Sequence, residues 1–80
     1  MKVGDIVQSK SGHDAKKYFV VIATLNESYI LIADGKSRKL DSPKQKNVKH
    51  VKLIEEASGI KTYVDDKSIA DRLAKLDTVE

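Results

Sequence analysis

The chain has 80 residues, a formal net charge of +3 and no cysteine. A domain this small buries only about 60% of its unfolded surface, and without cysteine it has no disulfide or thiolate zinc site to stabilise it. No apolar run approaches the ~20 residues that span a bilayer, and the N-terminal MKVGDIVQS is too polar for a signal peptide. We therefore expect a cytoplasmic protein without membrane contact. Nothing in the sequence demands more than a monomer.

The first half of the chain has the composition of short β-strands separated by turns. Residues 3–9, 18–25 and 28–33 are rich in β-branched and aromatic side chains, which favours strands. The continuous apolar run over 18–25 predicts a strand buried on both faces. Gly12 and the dipeptide Asp34-Gly35 are turn signals between these strands.

The next segment has a weaker strand pattern. Residues 36–40 are compatible with another short strand, and Pro43 predicts an edge or a loop because proline cannot donate to a ladder. Residues 48–54 predict either a closing strand or a single helical turn. Short strands with turns of two to seven residues predict a small antiparallel β-barrel, since closing the sheet removes exposed strand edges.

The C-terminal part changes to helical periodicity, which predicts a helix over about residues 66–77. Its apolar face contains Ile69, Ala70, Leu73, Ala74 and Leu76. Asp65 or Asp66 is suited to cap the first turn and to favour the helix dipole. A helix this short is marginal alone, so we expect its apolar stripe to dock on the barrel. The alternative is that the stripe binds a partner protein.

Ser58-Gly59 marks the boundary that precedes this helix. We therefore expect a mainly β unit over residues 1–54 and an extension over residues 55–80. Residues 1–54 carry +6, from eleven Lys or Arg against five Asp or Glu, whereas residues 55–80 carry −3, from four against seven. The charge of the first unit indicates a surface that contacts a polyanion, although a solvated surface of uneven charge would give the same totals.

Catalytic chemistry is not indicated. There is no cysteine nucleophile, and neither His13 nor His50 stands in a metal-ligand pattern. The acidic residues form no recognisable general acid and base pair, so we expect no enzyme and no cofactor. Few aromatic residues are present for a peptide-binding groove, and the basic stretch lacks the apolar face of a membrane-surface helix.

RNA is the partner that the cationic residues favour, because Lys and Arg bind phosphates and release counterions. Two basic clusters are present. The first contains Lys10, Lys16 and Lys17. The second contains Lys36, Arg38, Lys39, Lys44, Lys46, Lys49 and His50. Arg38 can fork onto a phosphate or stack on a base, and Asn47 can bond to sugar or base edges. Because exposed aromatics are few, we expect recognition of shape and phosphate in folded RNA.

Three segments resemble a known family. VGDIVQSKSGHDAKKYFVVI resembles a KOW motif, in which a turn with a glycine, here Gly12, joins two apolar strands. YILIADGKSRKLDSPKQKN resembles the hairpin and basic loop of bacterial KOW-domain RNA-binding proteins. KNVKHVKLI resembles the segment that closes the KOW domain in large-subunit ribosomal proteins of the fourteen-e type. The resemblance covers residues 2–54, but the second glycine of many KOW motifs is absent between Gly12 and Tyr18.

The resemblance implies an SH3-like barrel, the KOW domain, that binds large-subunit ribosomal RNA and could contact ribosomal proteins. It implies RNA contacts at Lys10, His13, Arg38, Lys39, Lys44, Lys46, Asn47, Lys49 and His50. Gly12 and Gly35 would shape turns, and Asn47 and His50 could hold the loop to the barrel instead. The prediction is a non-catalytic RNA-binding protein of the ribosome or of translation. The alternative is a protein-interaction module of the transcription or translation machinery, since KOW barrels also occur in elongation factors.

Overall fold

The structure, a computed structural model, describes residues 1–10, 12, 15–57 and 65–77. Its elements in chain order are strands β1 (Ile6–Ser9), β2 (Tyr18–Thr24), β3 (Tyr29–Ala33) and β4 (Lys44–Asn47), a 3-10 helix (Val48–His50), strand β5 (Val51–Glu55) and helix α1 (Asp66–Asp77). All strand pairs are antiparallel. The predicted class, mainly β with a C-terminal helix, is confirmed.

The five strands form one sheet in the order β4-β3-β2-β1-β5, and β2 is its central element. The first half of β2 pairs with β1, so that Tyr18 lies opposite Gln8. Its second half pairs with β3, and the register shifts between Val21 and Ala23. A bulge of this kind bends a strand, so β2 turns the sheet between its two partners.

The two edge strands, β4 and β5, are joined by the three residues of the 3-10 helix. Because a residue spans at most about 3.6 Å, the sheet must curl to bring these edges together. The backbone N–H of Val48 donates to Ser28 O at 2.8 Å, and Lys10 N–H donates to His50 O at 2.8 Å. The described pairings leave the sheet open between β4 and β5, so the predicted closed barrel is not confirmed.

Alternate side chains of the strands build two apolar clusters on opposite faces of the sheet. The first cluster contains Val7, Phe19, Val21, Ile30, Ile32 and Val51. The second contains Ile6, Val20 and Ala33 together with Ile69 and Leu73 of α1. Strand β2 is therefore buried on both faces at Phe19, Val20 and Val21, because α1 covers the face opposite the first cluster, but the predicted strand is exposed at its end, at Thr24 and Leu25.

The two acidic residues at the start of α1 have different roles. Asp65 caps the helix, since its Oδ1 accepts from Ser68 N–H at 2.9 Å. Asp66 accepts instead from the backbone N–H of Leu40 at 2.8 Å, which joins the helix to the segment that follows β3. The Arg72 guanidinium donates to the Glu55 carboxylate and so connects α1 to β5.

The structure corrects the prediction of a strand over residues 3–9 at its start. Gly4 has φ +97° and donates its N–H to Val21 O at 2.7 Å, so the strand begins only at Ile6. The buried Asp5 carboxylate accepts from the N–H groups of Lys2 and Ala57, both at 2.8 Å. These bonds hold the chain in a turn that a sequence pattern does not reveal.

Three further predictions fall in the segment after β3. Residues 36–40 form no strand, because hydrogen bonds to Asp34 fold them into a loop. Lys44–Asn47, beside Pro43 where either an edge strand or a loop was predicted, is an edge strand that pairs with β3. Residues 48–54 contain both predicted alternatives, a helical turn followed by a strand. The boundary predicted at Ser58-Gly59 lies outside the described residues.

Candidate nucleic-acid interface

The first basic segment, residues 10–17, connects β1 to β2 at the end of the sheet. Ser9 N–H donates to Lys17 O at 2.9 Å, and Lys16 N–H donates to Ser9 O at 2.8 Å. Lys10 N–H bonds to His50 O, so Lys10 lies beside the start of β5. The exposed residues Lys10, Lys16 and Lys17 thus lie where β1 ends and β2 begins, and Lys10 also lies beside the start of β5. The predicted contact His13 lies outside the described residues.

Lys16 adopts a left-handed backbone with φ +72°. An L-residue in this conformation brings Cβ close to the following carbonyl oxygen, at a cost of roughly 1–2 kcal/mol. Gln8 Nε2 donates to Lys16 O at 3.1 Å, and this bond helps to hold the turn. The sequence lacks a second glycine in this turn, and a lysine takes the left-handed conformation that glycine favours.

The second basic segment, which we call the basic loop, comprises residues 34–43. Asp34 organises it: Oδ1 accepts from the N–H groups of Lys36 and Arg38, both at 2.8 Å. Arg38 O in turn accepts from Asp34 N–H at 2.8 Å and from Gly35 N–H at 3.1 Å. The backbone of Lys36, Arg38 and Lys39 is thereby fixed in or beside a tight turn, and their side chains remain exposed.

Helix α1 supports the basic loop from behind. Gly35 has φ +79°, and a Cβ at this position would lie 2.2 Å from Asp66 O and 3.0 Å from Ala70 N. No side chain fits in that space, so Gly35 permits the close approach of the loop to the helix. The Leu40 N–H also donates to the Asp66 carboxylate. Through these two contacts α1, which lies outside the span of the KOW resemblance, becomes part of the candidate interface.

The remaining predicted contacts follow on β4 and the 3-10 helix. Lys44, Lys46 and Asn47 are half-buried, whereas Lys49 and His50 are exposed. Asn47 Oδ1 accepts from Lys49 N–H at 2.8 Å, which caps the 3-10 helix. The Asn47 bond is local to this turn, whereas the backbone carbonyl of His50 accepts from Lys10 N–H and joins the 3-10 helix to the residue that follows β1. The choice between RNA contact and anchoring for the Asn47 and His50 side chains stays a prediction.

The two basic segments share one cleft of about 280 Å³. Lys16 and Lys17 line it from the first segment and Lys36 lines it from the basic loop. The lining also contains Asp34 and Ser37 of the basic loop, Tyr18, and three residues of α1. The sequence predicted Tyr18 in a strand buried on both faces and did not assign α1 to the site, because no local pattern reveals that these residues lie beside the lysines.

In the part of the chain that the structure describes, no group of three or more His, Asp or Glu residues could hold a metal ion. Among these same residues, no helix has the length and apolar character needed to cross a bilayer. No protein-family model matches the chain, and no curated protein matches it either. The resemblance to KOW proteins stays a prediction.

Proposed function

We propose that the protein binds folded RNA, without catalysing a reaction, through the basic end of its sheet. The observation that carries this proposal is the convergence of exposed cations from separate segments. One cleft is lined by Lys16, Lys17 and Lys36. The backbone N–H of Lys10 donates to His50 O, next to Lys49. An SH3-like barrel of the KOW type that binds large-subunit ribosomal RNA is the specific form that we propose.

The backbone of the interface supports binding because it is already ordered. Hydrogen bonds to Asp34 and the contact of Gly35 with α1 fix the basic loop before any ligand arrives. A preorganised site loses less conformational entropy on binding, so more of the phosphate attraction appears as affinity. The exposed guanidinium of Arg38 is free of the backbone bonds that hold its loop, and it can fork onto a phosphate.

The alternative, a protein-interaction module that uses the apolar stripe of α1, has less support. Ile69 is fully buried, Leu73 is nearly so, and both pack against the sheet. Leu76 is also partly covered by the same cluster. The stripe would have to leave the sheet before it could contact a partner, and that would expose Val20 and Ala33.

The first test measures how affinity for a short RNA hairpin depends on salt. About five phosphate contacts would give a log–log slope near −4 to −5, by analogy with duplex DNA. The double variant Lys36→Gln/Arg38→Gln should make this slope shallower by about 2, because each lost phosphate contact removes about 0.9. The matched control is Lys2→Gln/Lys67→Gln, which removes the same charge from exposed positions outside both basic segments. Equal slopes for the two double variants would contradict the proposal.

The proposed association with the ribosome needs a separate experiment. A tagged chain is sedimented with cell lysate through a gradient at low and at moderate salt. We expect co-migration with the large subunit, and we expect Lys36→Gln/Arg38→Gln to move toward the top of the gradient. If the unmodified chain stayed at the top of the gradient in both salts, the ribosomal assignment would be overturned. Binding to other RNAs would then be decided by the hairpin assay.

A further inference from the structure

We propose that the cleft between β2, the basic loop and α1 holds a single unpaired nucleotide. Its base would lie against Tyr18 and the small side chains of α1, and its phosphate among Lys16, Lys17 and Lys36. The inference deepens the proposed function and rests on it, because it adds a base-contacting site to a surface otherwise suited to phosphates.

The apolar part of the cleft is lined by one aromatic side chain and by residues of α1. Tyr18 is half-buried and packs against the cluster that joins the sheet to α1, so its ring is held in place from behind. Ala70 and Ala74 line the helix side, where their methyl side chains leave space. A volume of about 280 Å³ lies at the lower limit of the roughly 300–1,000 Å³ found for ligand pockets, which suits one base with its sugar.

The polar part of the cleft favours an anion. Three lysines and one carboxylate, Asp34, give the lining a formal charge of +2. The Asp34 carboxylate faces its own loop, since Oδ1 accepts from two backbone N–H groups at 2.8 Å. Its charge is therefore partly balanced within the loop, and the lysine cations dominate the opening.

These two parts together define the ligand chemistry. A simple phosphate would use the lysines but would leave Tyr18 and the alanine methyls in water. An uncharged aromatic ligand would use Tyr18 but would gain nothing from the lysines. A nucleotide uses both, because every base offers a face for stacking on an aromatic ring and every nucleotide carries a phosphate. The nucleotide can come from a bulge in RNA or be free in solution.

The first experiment separates these ligands by NMR titration of the full chain at constant ionic strength. The probes are adenosine monophosphate, adenosine and inorganic phosphate. We expect saturable shifts of the Lys17, Tyr18 and Ser37 amides with the monophosphate, and at least tenfold weaker binding of adenosine and of phosphate. Equal binding of phosphate and monophosphate would overturn the base site, and an absence of shifts with all three probes would do the same.

The second experiment places the nucleotide in RNA. Two hairpins are compared, one fully paired and one with a single bulged nucleotide. We expect the bulged hairpin to bind at least about fivefold more tightly, because its unpaired base can stack on Tyr18. Ala74→Phe places a ring in the cleft from an exposed helix position, so it should abolish this preference. Val3→Phe adds the same ring at an exposed position that is not part of the cleft lining, and it should preserve the preference.

The outcomes distinguish the two proposals. If neither hairpin binds, the proposed RNA function fails. If both hairpins bind equally and the monophosphate does not bind in the titration, only the nucleotide site fails. If both hairpins bind equally but the monophosphate does bind, the cleft takes free mononucleotides, and only the placement of an RNA nucleotide in the cleft is overturned.

Discussion

The two turns that carry the basic segments use the same backbone conformation for different reasons. Gly12 has φ +77° and Gly35 has φ +79°, both in the left-handed region. A Cβ at Gly12 would meet no heavy atom of the described residues within 4 Å, whereas a Cβ at Gly35 would overlap the backbone of Asp66. The first glycine serves only its own turn, and the second lets a loop and a helix pack together.

This difference matters for the candidate interface. The first segment is held by bonds within its own hairpin, such as Lys16 N–H to Ser9 O. The basic loop is held in addition by α1, which begins more than twenty residues later in the chain. Loss of the helix contact should therefore disturb the candidate interface through the basic loop and leave the first segment in place.

The largest effect is expected from Gly35→Ala with Gly12→Ala as its matched control. Gly12→Ala should lower the free energy of unfolding by about 1–2 kcal/mol, the cost of a left-handed Cβ. Gly35→Ala should cost about 2–5 kcal/mol in total, because overlap with a packed neighbour adds about 1–3 kcal/mol to the same left-handed cost. Denaturant unfolding measures both values. A difference of 2 kcal/mol in a domain of this size would also separate the melting temperatures by about 8–16 °C.

RNA binding provides a second readout for the same pair of variants. Under conditions where both remain folded, Gly35→Ala should weaken hairpin binding more than Gly12→Ala, since only Gly35→Ala displaces the loop that carries Arg38. Equal losses of stability, or equal losses of RNA affinity, would show that the contact between the basic loop and α1 does not organise the interface.

The sequence predicted those parts of the fold whose signal is local. The apolar run beginning at Tyr18 and the helical spacing of Ile69 and Leu73 gave β2 and α1 with nearly correct bounds. The sequence could not decide between an edge strand and a loop at β4, because its residues, KQKN, are polar and its strand conformation comes from pairing with β3. The pairing partner is a property of the fold, and strand propensity depends strongly on that context.

The candidate site shows the same limit. The sequence indicated which side chains are cationic, but it did not show that Lys16, Lys17 and Lys36 line one cleft. Tyr18 and Ala74 are 56 positions apart in the sequence, and only the packing of α1 on the sheet brings them to the same cleft. The left-handed conformation of Lys16 was also not predicted, because lysine carries no signal for it.

A smaller effect, of opposite sign, is expected at Lys16. Lys16→Gly should stabilise the protein by about 0.5–1 kcal/mol. It relieves roughly 1–2 kcal/mol of left-handed strain, whereas the greater conformational entropy that glycine loses on folding costs about 0.5–1 kcal/mol. Lys17→Gly removes the same charge at the next residue, which does not have a positive φ, and it should destabilise the protein. Thermal unfolding of both variants checks the signs, and destabilisation by Lys16→Gly would show that this turn holds no strain.

The smallest effect concerns the cap of the helix that supports the basic loop. The backbone N–H and the side chain of Ser68 bond to Asp65 and lower the pKa of its carboxyl below the usual 3.8. A lowered pKa in the folded state means that the stabilising contribution is fully present above pH 3.8 and is lost as pH falls through the folded pKa. Since Asp65 is at the surface, solvent and salt weaken this contribution.

Asp65→Asn isolates that contribution, because asparagine keeps a capping oxygen but has no charge to lose. At neutral pH the unmodified chain should be slightly more stable than Asp65→Asn, and the difference should vanish as the pH falls below 3.8. Urea unfolding at a series of pH values measures the difference, and Glu56→Gln, which removes an exposed carboxylate outside α1, serves as the control. If the difference stayed constant or grew on acidification, the ionised Asp65 would not stabilise the helix, and the support of the basic loop would rest on Gly35 and Asp66.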